Sequence, residues 1–151
     1  MRAINHAMTG AIIGLTISEP IVAIPIAVGS HFVLDAIPHF GEKSNSLTSR
    51  SFKPMLWIDA ILCLCLVLVI GFTKPNNWIL SIVCATVAAG VDFMQAPRYF
   101  QTIKSGKDIK PKGHINRFHA NIQWFQRPLG AVVEIAWAIG SLIILSWLIK
   151  K

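Results

Sequence analysis

Residues 20–39 read PIVAIPIAVGSHFVLDAIPH, an apolar run that closes with ionisable side chains. His31 and Asp35 are four residues apart, so in a helix they lie on one face, about one turn from each other. Pro38 disfavours helical geometry at the residue before it, which predicts that the helix ends there and lets His39 turn back toward the other two. Because ionisable residues are costly inside a bilayer, such a run is typical of a membrane helix that closes with a functional site.

The composition of the whole chain agrees with a membrane protein. Of its 151 residues, 54% are hydrophobic and 14% are charged, whereas about 25% are charged in an average soluble domain. We therefore expect an all-α fold, a single integral membrane domain over residues 1–151, built as a bundle of about five transmembrane helices with an amphipathic interfacial helix before the last. The five apolar stretches are Ala3–Ser18, Pro20–Ile37, Met55–Phe72, Trp78–Ala96 and Leu129–Ile149. In the first, Gly10 and Gly14 predict close helix packing.

The positive charges predict an orientation. If all five stretches span, 11 Lys and Arg lie on the side of the N-terminus and 3 lie on the other. The positive-inside rule then places the N-terminus in the cytoplasm and the C-terminus outside.

The connection over residues 98–128 holds seven of these cations, and its second half, Ile115–Phe125, has the pattern of an amphipathic helix lying in the headgroup plane. We expect this connection to contact anionic headgroups. Few aromatic residues alternate with its lysines, so nucleic acid is not an expected partner.

Under this topology, ionisable residues gather at the cytoplasmic ends of the first four stretches, and we expect them to line one pocket. Imidazoles and carboxylates that converge in a partly dry pocket are the ligand set of Zn²⁺, Mn²⁺ or Fe, whereas the carboxylates alone would suit Mg²⁺, so we expect Zn²⁺ or Mn²⁺ ahead of Mg²⁺. The predicted metal ligands are His6, His31, Asp35 and His39, with His6 either a ligand or a partner that contacts one. The predicted catalytic residues are Asp59, Asp92 and His119, with the two acids either a second ligand set or the general base. His119 would act as a lid or late ligand, whereas Glu134, apart from the others, is expected only to hydrogen-bond across helices.

Two functions remain open at this stage. The first is a metal-dependent hydrolase at the cytoplasmic headgroup level, in which a divalent ion activates water against a phosphoester or lipid substrate. The chain has no Gly-x-Ser-x-Gly nucleophile motif and no Gly-rich phosphate loop, so covalent catalysis is not expected. The second is a non-enzymatic membrane protein, either a metal or ion carrier or a structural subunit, that uses the same residues for binding or packing.

One family resemblance bears on this choice. Asn5-His6 opens an apolar stretch, and Ser30-His31 through Asp35, Pro38 and His39 closes the next. This pattern resembles the small bacterial membrane-bound metal-dependent hydrolases, a group that includes SOS-regulated inner-membrane proteins. The resemblance implies a metal held by His and Asp at helix ends and a hydrolytic reaction on a phosphoester or lipid.

Overall fold

The computed structural model describes residues 1–40, 52–106, 109–110, 113–125 and 127–150, and their regular structure is helical. The all-α prediction is therefore confirmed. Part of the predicted cytoplasmic loop after the second apolar stretch, including Lys43 and Arg50, lies outside the described residues, as do Lys107 and Lys112. The helices are α1 (Ala3–Thr16), α2 (Pro20–Ala36), α3 (Phe52–Thr73), α4 (Trp78–Gly90), α5 (Ala96–Ser105), α6 (His114–Ile122) and α7 (Gly130–Leu148), with a 3₁₀ segment, Val91–Gln95, after α4.

The ends of α2 follow from its prolines. Pro20 occupies the first turn, where a missing N–H costs nothing because that group has no partner within the helix. At the other end, Ile37 has φ −81° and ψ 160°, which is extended backbone. The predicted helix end before Pro38 is thus confirmed.

The five apolar helices alternate in direction. At one end of the bundle, Arg2 before α1 contacts Asp59 near the start of α3 and Glu134 near the start of α7. At the other end, the Asn77 side chain before α4 donates a hydrogen bond of 3.1 Å to Ser18 after α1. As a result, the starts of α1, α3 and α7 and the ends of α2 and α4 meet at one end of the molecule.

The first helix lies in the centre of this bundle, in contact with α2, α3, α4 and α7. A Cβ atom added at Gly14 would lie 2.5 Å from the Cα atom of Ser81, and one added at Gly10 would collide with the backbone of Cys84. The Ser81 hydroxyl donates a 3.0 Å hydrogen bond to the Ala11 carbonyl across the same contact. The predicted close packing at the two glycines is confirmed, and α4 is the partner.

Within the described residues, two helical segments are long and apolar enough to cross a membrane, Pro54–Thr73 and Gly130–Ile149. The other apolar helices are shorter: α1 has 14 residues and α2 has 17. At 1.5 Å per residue they rise about 21 Å and about 25 Å, less than the roughly 30 Å of a hydrocarbon core. The prediction of five transmembrane helices is therefore not confirmed.

The basic connection before α7 holds two helices. The predicted amphipathic helix over Ile115–Phe125 is observed as α6, which ends three residues earlier, at Ile122. On it, the Phe118 side chain is 54% exposed while His119 is 4% exposed, so the two neighbours face in different directions. The other helix, α5, was not predicted, because its short amphipathic sequence follows an apolar stretch and contains Pro97 and Arg98.

Candidate metal centre

Four side chains from three separate parts of the chain converge at the end of the bundle where α2 and α4 finish. His31 and Asp35 come from the last turns of α2, Asp92 from the 3₁₀ segment, and His119 from α6. We call these four residues the His/Asp cluster. Each offers a ligand atom that lies within 4.8 Å of the other three. His31 and Asp35 are fully buried, His119 is nearly so, and the Asp92 side chain is 31% exposed.

The ligand atoms have the spacing of a small coordination shell. His31 Nε2 lies 2.9 Å from His119 Nε2, 3.2 Å from Asp35 Oδ2 and 3.7 Å from Asp92 Oδ1. His119 Nε2 lies 2.9 Å from Asp35 Oδ2 and 3.6 Å from Asp92 Oδ1. Ligands bound about 2.0 to 2.1 Å from a tetrahedral Zn²⁺ would be roughly 3.3 Å apart. The observed distances bracket this value, so the cluster could bind a metal ion.

The tautomer of His31 supports the same conclusion. Its Nδ1 lies 2.8 Å from the carbonyl oxygen of Ala88, and a carbonyl can only accept, so Nδ1 carries the proton and donates. In the neutral ring, Nε2 then presents a lone pair toward the Asp35 carboxylate. This Nε2 can accept a hydrogen bond from His119 Nε2 or bind a metal ion, and a ligating His whose other nitrogen donates to a carbonyl is the usual arrangement in metal sites.

Asp35 is held by groups around the cluster. The Gln123 side-chain amide donates a 3.0 Å hydrogen bond to Asp35 Oδ2. The other oxygen, Oδ1, lies 3.2 Å from His6 Nε2 and accepts from the ammonium group of Met1. His6 also stacks on His31, with ring centroids 4.0 Å apart. His6 therefore lies against the cluster, beside two of its members, rather than among the four ligand atoms.

His39 lies near the cluster but outside it. Its Nδ1 donates a 2.9 Å hydrogen bond to the Ile37 carbonyl, and its Nε2 has no hydrogen-bond partner among the described residues. Burial lowers the pKa of His39 below its ordinary value, and the nearby N-terminal ammonium acts in the same direction. Its backbone is enclosed by the start of α7, because Gly130 packs directly on it and the Arg127 amide donates 3.1 Å to its carbonyl.

Asp59 and Glu134 belong to a separate polar group around Arg2. The Arg2 guanidinium donates from Nε to Asp59 Oδ1 at 3.0 Å, and the Arg2 backbone amide donates to Glu134 Oε1 at 3.0 Å. Glu134 thus hydrogen-bonds between helices, as expected. The structure therefore brings together His31, Asp35, Asp92 and His119, places His6 beside them, and leaves His39 and Asp59 outside the cluster.

Gln123 is the site residue that the sequence analysis missed. It follows His119 by four residues, the same spacing as His31 and Asp35, and its Nε2 lies 3.4 Å from His119 Nε2. That repeated spacing was the available signal, although an amide without an ionisable group rarely attracts attention in a sequence.

Comparisons of the chain with protein-family models, with curated proteins and with solved structures gave no match. The resemblance to membrane-bound metal-dependent hydrolases accordingly remains a prediction.

Proposed function

We propose that this protein is an integral membrane hydrolase that uses a divalent metal ion bound by the His/Asp cluster and acts on a phosphoester or lipid at the membrane surface. The observation that carries the proposal is the spacing of the four ligand atoms, 2.9 to 3.7 Å for the five measured pairs that involve His31 or His119. Two imidazole nitrogens and two carboxylates directed at one point form hydrogen bonds with one another, and the same convergence supports a metal ion as their ligand.

The donor set favours Zn²⁺ or Mn²⁺ over Mg²⁺. Two imidazole nitrogens with two carboxylate oxygens suit a borderline metal, whereas Mg²⁺ prefers oxygen ligands and retains several waters. When bound, such an ion supplies Lewis acidity toward water and toward a phosphoryl or acyl oxygen.

The side chains around the cluster would orient the ligands and transfer protons. Ala88 and Gln123 hold His31 and Asp35 in the orientation that ligation needs. Because a catalytic ion needs a position open to water, His31, Asp35 and His119 would hold the ion, and Asp92, the most exposed member of the cluster, would be the candidate general base. His6, against Asp35 Oδ1, is a candidate to hold or move a proton.

A membrane location is supported by where the apolar surface lies. The apolar windows of Pro54–Thr73 and Gly130–Ile149 are 6% and 17% buried, unlike the core helices of a soluble protein. Ile21, Phe72 and Leu129 are each more than 80% exposed. We place the cluster at the cytoplasmic face of a bacterial inner membrane, with the basic α5–α6 connection against anionic headgroups. Labelling of a C-terminal tag in intact cells by an impermeant reagent tests this orientation. A tag that is protected from the reagent would place the C-terminus in the cytoplasm and contradict it.

The function itself is tested on detergent-purified protein by elemental analysis and by release of product from short-chain phospholipids and simple phosphodiesters. We expect about one Zn²⁺ or Mn²⁺ per chain and metal-dependent hydrolysis, both lost in His119→Ala. Glu19→Gln, which removes an exposed acid in a distant turn, is the matched control and should retain both. Metal at full occupancy with no hydrolysis of any ester class would favour the carrier instead, and absence of metal would reject the site.

A further inference from the structure

The sixth helix, α6, presents two different faces. His119 points into the His/Asp cluster and is 4% exposed, whereas Arg117 and Asn121 are exposed. Positions 117 and 121 are about one helical turn apart and lie on the side away from position 119. Phe118 is 54% exposed beside them, and Trp124, just after the helix ends, is 71% exposed. We call Arg117, Phe118, Asn121 and Trp124 the outer face of α6.

The contacts that attach α6 to the bundle are those of the cluster and its immediate surroundings. α6 packs mainly against α2. His119 Nε2 and Gln123 Nε2 lie 2.9 and 3.0 Å from Asp35 Oδ2. The Phe118 ring packs on Phe32, with ring centroids 5.6 Å apart. A movement of α6 away from α2 would therefore remove His119 from the other ligands and Gln123 from Asp35.

The length of α6 makes its stability depend on its surroundings. It has nine residues, and Gly113, at its N-cap, forms no side-chain capping hydrogen bond. Isolated helices shorter than about 12 to 15 residues are marginal in water, and most helical stability in proteins comes from packing of an amphipathic face. Packing on α2 leaves Phe118 and Trp124 more than half exposed. A second surface that covers the outer face would therefore stabilise α6.

Charge and chain position both indicate that this second surface is an anionic bilayer. Residues 98–128 hold seven Lys and Arg against one acid, and of these cations Lys110 and Arg117 are exposed. Gly130–Ile149, which is long and apolar enough to cross a membrane, begins six residues after Trp124. Exposed aromatic rings among cations at such a position are typical of a helix that lies in the headgroup plane.

Both faces belong to one short helix, so docking on a bilayer and completion of the cluster are coupled. When the binding-competent state is only partly populated, the apparent metal affinity falls in proportion to its population. We propose that α6 docks on an anionic bilayer by its outer face, and that this docking holds His119 in the cluster and makes metal affinity depend on anionic lipid. The coupling rests on the metal site of the proposed function, whereas the docking does not, and neither depends on hydrolysis.

The test compares two nanodiscs, one of phosphatidylcholine and one with equal parts of phosphatidylcholine and phosphatidylglycerol. Zn²⁺ affinity is measured by competition with a chelator, and the order of α6 is measured by hydrogen exchange of its backbone amides in metal-free protein. In the anionic nanodisc we expect Zn²⁺ to bind at least about tenfold more tightly and α6 to exchange at least about tenfold more slowly. A bound metal should slow this exchange further, because the coupling is reciprocal.

Variants of the outer face separate the coupling from accumulation of Zn²⁺ at a charged surface. Arg117→Gln should reduce the anionic gain in affinity by up to about fivefold, the contribution of one cation near the surface, and Trp124→Ser should reduce it as well. Neither side chain belongs to the cluster, so both variants should match wild type in phosphatidylcholine. Lys74→Gln removes an exposed cation after α3, at the opposite end of the molecule, and should keep the full gain.

Equal Zn²⁺ affinity in the two nanodiscs would overturn the coupling. A gain that is unchanged in both Arg117→Gln and Trp124→Ser would also overturn it, because the gain would then reflect the general attraction of Zn²⁺ to anionic lipid. Absence of Zn²⁺ binding in both nanodiscs would instead reject the metal centre of the proposed function. The exchange of α6 in metal-free protein then decides the docking alone: slower exchange in the anionic nanodisc supports it, and equal exchange overturns it.

Discussion

Replacement of Asp35 by Asn is the most direct perturbation of the proposed metal centre. Asn has nearly the same size and can still accept the hydrogen bond from Gln123. It lacks the negative charge, however, so the neutral amide oxygen at the Oδ2 position, 2.9 and 3.2 Å from the two imidazole nitrogens, is a much weaker ligand than the carboxylate oxygen. The change therefore removes the charged ligand while it keeps nearly the same side-chain volume.

The expected change in the free energy of unfolding follows from linkage between metal binding and folding. At a Zn²⁺ concentration 100 times the wild-type Kd, binding to the folded state alone stabilises it by about 2.7 kcal/mol. Loss of supporting residues around a metal site costs 10- to 100-fold in affinity, so loss of a ligand should cost at least about 100-fold. At the same concentration the variant would then gain only about 0.4 kcal/mol.

The assay is thermal or denaturant unfolding of detergent-purified protein, with and without Zn²⁺, and the quantity compared is the Zn²⁺-dependent gain in the free energy of unfolding. Asp59→Asn is the matched control, since that carboxylate pairs with Arg2 outside the cluster and should leave the gain intact. A gain that survives in Asp35→Asn, or that disappears equally in Asp59→Asn, would refute the reasoning.

Three further outcomes are expected. Gln123→Leu should weaken metal affinity 10- to 100-fold with the ligands in place, as measured by competition with a chelator, and an unchanged affinity would mean that the amide does not orient Asp35. Gly14→Ala should destabilise the protein by about 1 to 3 kcal/mol through overpacking against α4. Gly140→Ala is the control and should not destabilise the protein, because an added Cβ there meets nothing within 4 Å. Equal changes in the free energy of unfolding would contradict the packing argument. Because burial lowers the pKa of His39, its contribution to stability is present above its unfolded pKa near 6.5 and is lost as pH falls through the lower folded value. Wild type should therefore lose more stability than His39→Gln between pH 7 and pH 5. Parallel pH profiles of the two proteins would contradict this prediction.

The parts of the site that the sequence predicts well are those with local geometry. His31 and Asp35 face the same way because four residues make about one helical turn, and this relation holds wherever the helix lies. The end of α2 is local as well, since Pro38 acts on the residue before it. These two inferences needed no knowledge of the rest of the chain.

The remaining site depends on tertiary arrangement. His119 meets Asp35 across 84 residues, and only the position of α6 brings it into the His/Asp cluster rather than above it. His39 has the right residue type and spacing, but its ring is held by the Ile37 carbonyl and its backbone by Gly130. Asp59 fits the pattern of acids at the ends of apolar stretches, yet it forms an ion pair with the neighbouring guanidinium of Arg2. Periodicity cannot predict such competition for partners.

The same separation of 84 residues between Asp35 and His119 has a consequence during synthesis of the chain. At about 5 to 20 residues per second, the ribosome needs roughly 4 to 17 seconds to synthesise that interval. During this time the nascent α2 already carries its carboxylate while the imidazole that joins it has not been made. The growing chain therefore carries an incompletely partnered acid until His119 has been synthesised, and a chain that terminates early never completes the His/Asp cluster.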